Sequence, residues 1–161
     1  MTNPVYVLDT QSLIWFAKGY AHRLGLNALI AMLSPRARVV IPSFALEEIH
    51  QKFGPKMQPN TDPAIPPAAL LRLVNKCQNV RVLARGPSVL AREIQLKTNE
   101  RSNGLNRNRQ DIPIAAAVLV VREYYREQVL LITCDRPLTI WAAKTGIRVL
   151  WNQRPVEWLP G

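Results

Sequence analysis

Apolar positions fall into two kinds of run along this chain. Short unbroken runs of β-branched and aliphatic residues alternate with longer stretches in which apolar side chains recur at helical spacing. The first kind predicts strands over Val5–Leu8, Arg38–Ile41, Val80–Leu83, Val129–Thr133 and Ile147–Trp151. The second predicts helices over Gln11–Lys18, Leu24–Leu33, Ser43–Phe53, Ala68–Lys76, Ser88–Lys97, Asp111–Glu127 and Pro137–Lys144. Punctuation agrees with these bounds. Ser34-Pro35, Gly54-Pro55 and Gly146 are stop signals, Ser43 and Ser88 read as N-caps, and Pro113 is tolerable in the first turn of its helix.

Strands that read as continuous apolar runs are buried on both faces. Alternated with helices, they predict an α/β fold: a three-layer α/β/α arrangement around a central, mainly parallel sheet. One domain over residues 1–161 is expected. Two loops interrupt the pattern. Residues 54–67 carry five prolines among polar residues, and residues 98–110 are rich in Arg and Asn.

Composition narrows the function. With 48% hydrophobic and 20% charged residues, the chain has material for a core and is not disordered throughout. Lys and Arg number 21 against 11 acids, a formal net charge of +10. That excess favours a polyanionic partner, nucleic acid first, with an acidic protein as the plainer alternative. Cys77 and Cys134 have no disulfide or zinc-ligand spacing, and His22 and His50 are too few for a histidine-rich metal site. The N-terminus lacks the basic leader and long apolar stretch of a signal peptide. The longest apolar run, Ile112–Val121, contains a proline and is about half a membrane span. The expectation is a soluble, cytoplasmic protein with no membrane association.

Acids sit where chemistry is done in such folds. Asp9 and Asp135 each follow a buried strand, and the carboxyl ends of parallel strands are where ligands bind. Asp111 opens the most apolar helix. Each also has a plainer reading as a helix cap or turn residue. In the helix from Ser43, residues Ala45, Leu46, Ile49 and Phe53 define an apolar face. Glu48 falls about 100° from its centre and Glu47 about 160°, so Glu48 borders the buried side while Glu47 faces solvent. The plainer reading of Glu48 is a surface pair with Lys52.

In order, these are strand-Asp, helix-Glu, helix-start Asp, strand-Asp. The segments Val-Tyr-Val-Leu-Asp-Thr-Gln-Ser-Leu-Ile-Trp, Ile-Pro-Ser-Phe-Ala-Leu-Glu-Glu-Ile, Arg-Gln-Asp-Ile-Pro-Ile-Ala-Ala-Ala and Leu-Leu-Ile-Thr-Cys-Asp-Arg-Pro-Leu resemble the four acid-bearing blocks of the PIN-domain family. Gly-Ile-Arg-Val-Leu-Trp resembles its last strand. The order carries more specificity than any single block, and the nearest likeness is to VapC-type toxin ribonucleases. The resemblance implies Asp9, Glu48, Asp111 and Asp135 as ligands of one or two Mg²⁺ or Mn²⁺ ions. It also implies Thr133 as a catalytic hydroxyl that orients metal-bound water, an RNA substrate, an antitoxin partner and a homodimer.

Such chemistry suits carboxylates, because Mg²⁺ prefers oxygen ligands and two ions can activate water and stabilise the leaving oxygen. Clustered carboxylates repel one another without a cation, which raises pKa values. Arg101, Arg107 and Arg109, interleaved with Asn103, Asn106 and Asn108, and Arg136 beside Asp135, are candidate RNA contacts. Trp15 and Phe16 suit base stacking or, more plainly, the core or a subunit interface, and Trp141 and Trp151 the core. A haloacid-dehalogenase-type phosphatase would need an Asp at position 11, where Gln stands, and no Gly-rich phosphate loop is present. The alternative outside enzymes is a PIN-like RNA-binding or partner-binding module without activity.

Overall fold

The computed structural model describes residues 4–17, 36–53, 79–98, 105, 111–126, 128–133 and 135–151. Five strands are described: β1 (Val5–Leu8), β2 (Arg38–Pro42), β3 (Val80–Leu83), β4 (Val129–Thr133) and β5 (Arg148–Trp151). The helices among them are α1 (Thr10–Ala17), α2 (Ser43–Phe53), α3 (Pro87–Thr98), α4 (Asp111–Tyr125) and α5 (Arg136–Thr145). The helices expected over 24–33 and 68–76, and the Pro-rich 54–67 loop, lie outside the described residues.

All strand pairs are parallel, in the order β3-β2-β1-β4-β5. The chain steps outward from β1 through β2 to β3, then returns to lay β4 along the other side of β1. The order therefore reverses between β1 and β4, where connections at the carboxyl ends diverge and leave a crevice. This is the α/β arrangement that the alternating pattern predicts.

Side chains alternate across the sheet with period two. Val5, Val7, Val40 and Leu131 join a core with Leu13, Ile49, Val118, Leu138 and Trp141 from the helices. On the opposite face Tyr6, Leu8, Val39, Leu130 and Ile132 form a second buried cluster. Burial on both faces explains why these strands lack a polar alternation. α4 packs against β2, β4, α2, α3 and α5. That central position accounts for its apolar character nearly all round, and the run Ala115–Ala117 lets neighbours approach closely. Leu105, in the middle of the Arg/Asn-rich loop, is fully buried in the same core.

Helix ends differ from the sequence expectation in instructive places. α3 starts at Pro87, and the Leu90 amide donates to the Gly86 carbonyl at 3.0 Å, so Ser88 lies inside the first turn and is not the cap. Pro87 supplies the preset φ there. α4 ends at Tyr125, short of Glu127, because Arg126 turns to a left-handed φ of 52°. The Ser43 hydroxyl accepts the Arg85 amide at 3.0 Å, which ties α2 to the β3–α3 connection. α5 closes as the sequence predicts, with Gly146 at φ 77° and the Ile147 amide donating to the Ala142 carbonyl at 2.8 Å.

Candidate active site

Asp9 directly follows β1 and is drawn inward by two donors. The Ser12 amide donates to its Oδ1 at 2.8 Å, and the Thr133 hydroxyl to its Oδ2 at 2.5 Å. Ser12 is itself fixed, since its hydroxyl donates to the Ile132 carbonyl at 2.8 Å and ties α1 to β4. The cap reading and the site reading of Asp9 both hold: one oxygen caps α1 while the carboxyl group borders a cleft. Burial pushes Asp9 above the usual carboxylate range, and the Asp135 charge adds to it, against the lowering effect of the Ser12 and Thr133 bonds.

Asp135 plays the same double part. Its Oδ2 accepts the Leu138 amide at 3.0 Å, capping α5, and its own amide donates to the Thr133 hydroxyl oxygen at 2.9 Å. Thr133 is therefore gripped between the two strand-end acids. Its hydroxyl proton goes to Asp9 and its oxygen accepts the Asp135 amide, so it holds both acids in place.

Glu48 comes from α2 and is buried while Glu47 is exposed, as the angular position on the helix predicts. The Thr10 hydroxyl, on the first residue of α1, donates to Glu48 Oε1 at 2.6 Å. The side chain of Lys52, the surface partner considered for Glu48, lies outside the described residues. Asp111 opens α4 and is pushed up to about 8, first by burial, then by the charge of Asp135 and a hydrogen bond with it, and by the charges of Asp9 and Glu48. A carboxyl group in that state is largely protonated at neutral pH and donates to its neighbour.

Asp9, Glu48, Asp111 and Asp135 line one cleft of about 120 Å³, together with Thr10, Gln11, Ile114 and Leu138. Four separate elements thus deliver four carboxyl groups to the crevice between β1 and β4. No cationic side chain among the described residues lines the cleft. Among the described residues, no three acidic, histidine or cysteine side chains form a ready cation cage. Asp9, Glu48 and Asp135 are each turned toward a protein donor, and Asp111 shares a hydrogen bond with Asp135. The donor set suits a hard divalent cation that takes a few carboxylates and keeps its waters.

Of the expected RNA contacts, Arg136 is exposed at the first turn of α5, beside the cleft acid Asp135. Arg101, Arg107 and Arg109 lie outside the described residues, as do the side chains of Trp15, Phe16 and Trp151. Trp141 is core. Sequence reading missed Thr10 and Ser12 as holders of the acids, and missed Glu93. Glu93 is buried on α3 and meets Arg85 at 2.5 and 2.7 Å. Its signal was present: Val89, Glu93 and Leu96 follow the spacing of an apolar stripe. No helix among the described residues is long and apolar enough to cross a membrane.

A parallel sheet with an acid-lined crevice at its reversal point defines the class. Residues 6–151 match the family model described as PIN domain, and the chain belongs to that family. No curated protein matches the sequence significantly. Among solved structures, VapBC-1 from nontypeable Haemophilus influenzae is similar at 19% identity and TM-score 0.62, over 93% of this chain and 99% of the other. VapBC2 from Rickettsia felis, bound to a DNA fragment from its promoter, gives 13% and 0.61, over 90% and 96%. DNA-bound VapBC from Salmonella typhimurium gives 18% and 0.58, over 91% and 96%. At these identities the likeness is one of fold.

Proposed function

We propose that this protein is a metal-dependent endoribonuclease that hydrolyses RNA phosphodiester bonds, acting as the toxin of a toxin–antitoxin pair. The observation that carries the reading is the convergence of Asp9, Glu48, Asp111 and Asp135 on one cleft, with Asp111 pushed up to about 8 by burial first and by the neighbouring acids second. Those four residues would hold Mg²⁺ or Mn²⁺. When bound, the cation would offset phosphate charge and acidify water.

The chain's own residues supply the rest. Ser12 and Thr133 fix the Asp9 carboxylate, and Thr10 fixes Glu48, so these oxygens are set before substrate arrives. Asp111, raised by burial and by its neighbours, would have to give up its proton to serve as a ligand. Ile114 and Leu138 form an apolar wall that limits bulk water. Arg136, with Arg101, Arg107 and Arg109, would grip phosphates flanking the cut. The VapBC neighbours are two-component assemblies, which supports an antitoxin partner and a homodimer for this chain too. A single domain working in the cytoplasm fits this reading.

The test is cleavage of a mixed RNA pool by purified protein with Mg²⁺ or Mn²⁺, with chelator, and with Asp111→Asn. Cleavage that stops with chelator and falls by about hundredfold in the variant supports the proposal. RNA retained but uncut under every condition would replace it with the binding-module reading.

A further inference from the structure

Thr10 is the residue through which the first strand's end controls the second acid. Its hydroxyl lies 2.6 Å from Glu48 Oε1, across 38 positions of sequence, and joins the first residue of α1 to the middle of α2. A hydroxyl at that place in a helix has a local use, accepting an amide of its own first turn. Here Asp9 accepts the Ser12 amide and caps the helix, while the Thr10 hydroxyl donates across to α2.

Glu48 needs such a partner more than the other acids do. Asp9 and Asp135 are short side chains held by backbone amides of the helices they begin. Glu48 sits inside α2, where the backbone amides are spent on the helix, and its longer side chain has more rotamers to lose. Asp9, Asp111 and Asp135 line the same cleft, so a second, outward rotamer is open to Glu48 unless a donor holds it. Thr10 is β-branched and stiff at χ1, so its hydroxyl keeps a fixed direction. One rigid donor therefore selects the rotamer that points a flexible acid into the cleft.

We propose that Thr10 is a positioning residue that presets Glu48 for a divalent cation. The inference rests on the reading of the cleft as a metal site. It assigns Thr10 no contact with the ion.

The test compares Thr10→Val, which keeps the shape and loses the hydroxyl, with Thr10→Ser, which keeps the hydroxyl. Mn²⁺ affinity is measured by titration calorimetry on the whole protein, and the Glu48 carboxyl carbon is followed by NMR without metal. Expected is Mn²⁺ affinity about tenfold weaker in Thr10→Val and restored in Thr10→Ser. The Glu48 resonance should shift toward that of a solvated carboxylate in Thr10→Val alone. Wild-type affinity in Thr10→Val, or equal loss in both variants, overturns the assignment, the latter because packing and not the hydroxyl would matter. Wild type that takes up no Mn²⁺ overturns the metal reading itself. An unmoved Glu48 resonance overturns the positioning role even where Mn²⁺ binds.

Discussion

The Thr133 hydroxyl donates to Asp9 Oδ2 at 2.5 Å, between residues 124 positions apart. The same hydroxyl accepts the Asp135 amide, so one side chain sets the spacing of the two strand-end acids. Thr133→Val preserves the β-branched shape and strand preference but removes the only proton that the side chain can give to buried Asp9. Leaving that carboxylate short of a donor costs about 1–3 kcal/mol. A melting curve without metal should therefore fall by several degrees in Thr133→Val, and Thr133→Ser should recover most of it. Equal melting of wild type and Thr133→Val would show that the bond contributes nothing.

Asp111 makes stability depend on pH in a definite sense. Its folded pKa, about 8, lies above the value near 4 of a solvated Asp, so the folded state holds the proton more tightly than the unfolded one. Its favourable contribution is whole below pH of about 4 and is lost as pH rises through about 8. In chelator, Asp111→Asn should gain on wild type progressively between pH 5 and 8, read as a widening difference in Tm. A difference constant across that range would contradict the raised pKa. Asp9 is raised as well and shifts both proteins alike.

A cation should reverse that penalty. Ions that bind only the folded cleft stabilise it by about 2.7 kcal/mol at a hundred times Kd. Mn²⁺ should raise the Tm of wild type by several degrees, more at pH 8 than at pH 6, since protons compete for the ligands. Asp9→Asn should lose most of the rise. Absence of any metal-induced shift in wild type at pH 8 would count against the four acids as ligands.

The Arg85–Glu93 pair tests a structural element away from the cleft. The Glu93 side chain is 3% exposed and that of Arg85 35%. The Arg85 guanidinium also lies 5.3 Å from the Phe44 ring centre, and Glu93 holds its pKa above the usual value. Arg85→Ala strands a buried carboxylate and should cost about 3 kcal/mol, the low end of the usual range because Arg85 is partly solvated. The double variant Arg85→Met with Glu93→Leu should be more stable than Arg85→Ala alone by denaturant titration. The reverse order would mean that the pair itself, and not the stranded charge, carries the cost.

Gly146 separates backbone strain from sterics. A Cβ there would meet nothing within 4 Å, yet φ is 77°. Gly146→Ala should therefore cost about 1 kcal/mol through backbone conformation alone. Gly146→Asn should cost less, because Asn tolerates the left-handed region. Similar losses for both variants in chemical denaturation would place the cost elsewhere.

The fold and the acids were legible in the sequence for physical reasons. Burial on both faces removes polar alternation from β1 and β4, and the residue that ends each such run must stand at the crevice, as Asp9 and Asp135 do. Glu48 was separable from Glu47 because 100° per residue decides which side of α2 each occupies. Thr133 was reached only through the family resemblance, and the Thr10 and Ser12 hydroxyls were not legible. That Thr10 donates to Glu48 depends on α2 lying beside the start of α1, a matter of tertiary packing. Ser43 shows the same dependence, spending its oxygen on Arg85. Leu105 was hidden in a polar stretch, where one apolar residue gives no period.

β1 lies between β2 and β4, and the register that brings Asp9 to Asp135 pairs Leu8 with Ile132. During synthesis, β1, β2 and β3 are complete long before β4 leaves the ribosome. A growing chain holds Asp9, Glu48 and Asp111 without the strand that closes the pocket over them. The cleft is therefore complete only when β4, which begins at Val129, and Asp135 beyond it have docked beside β1.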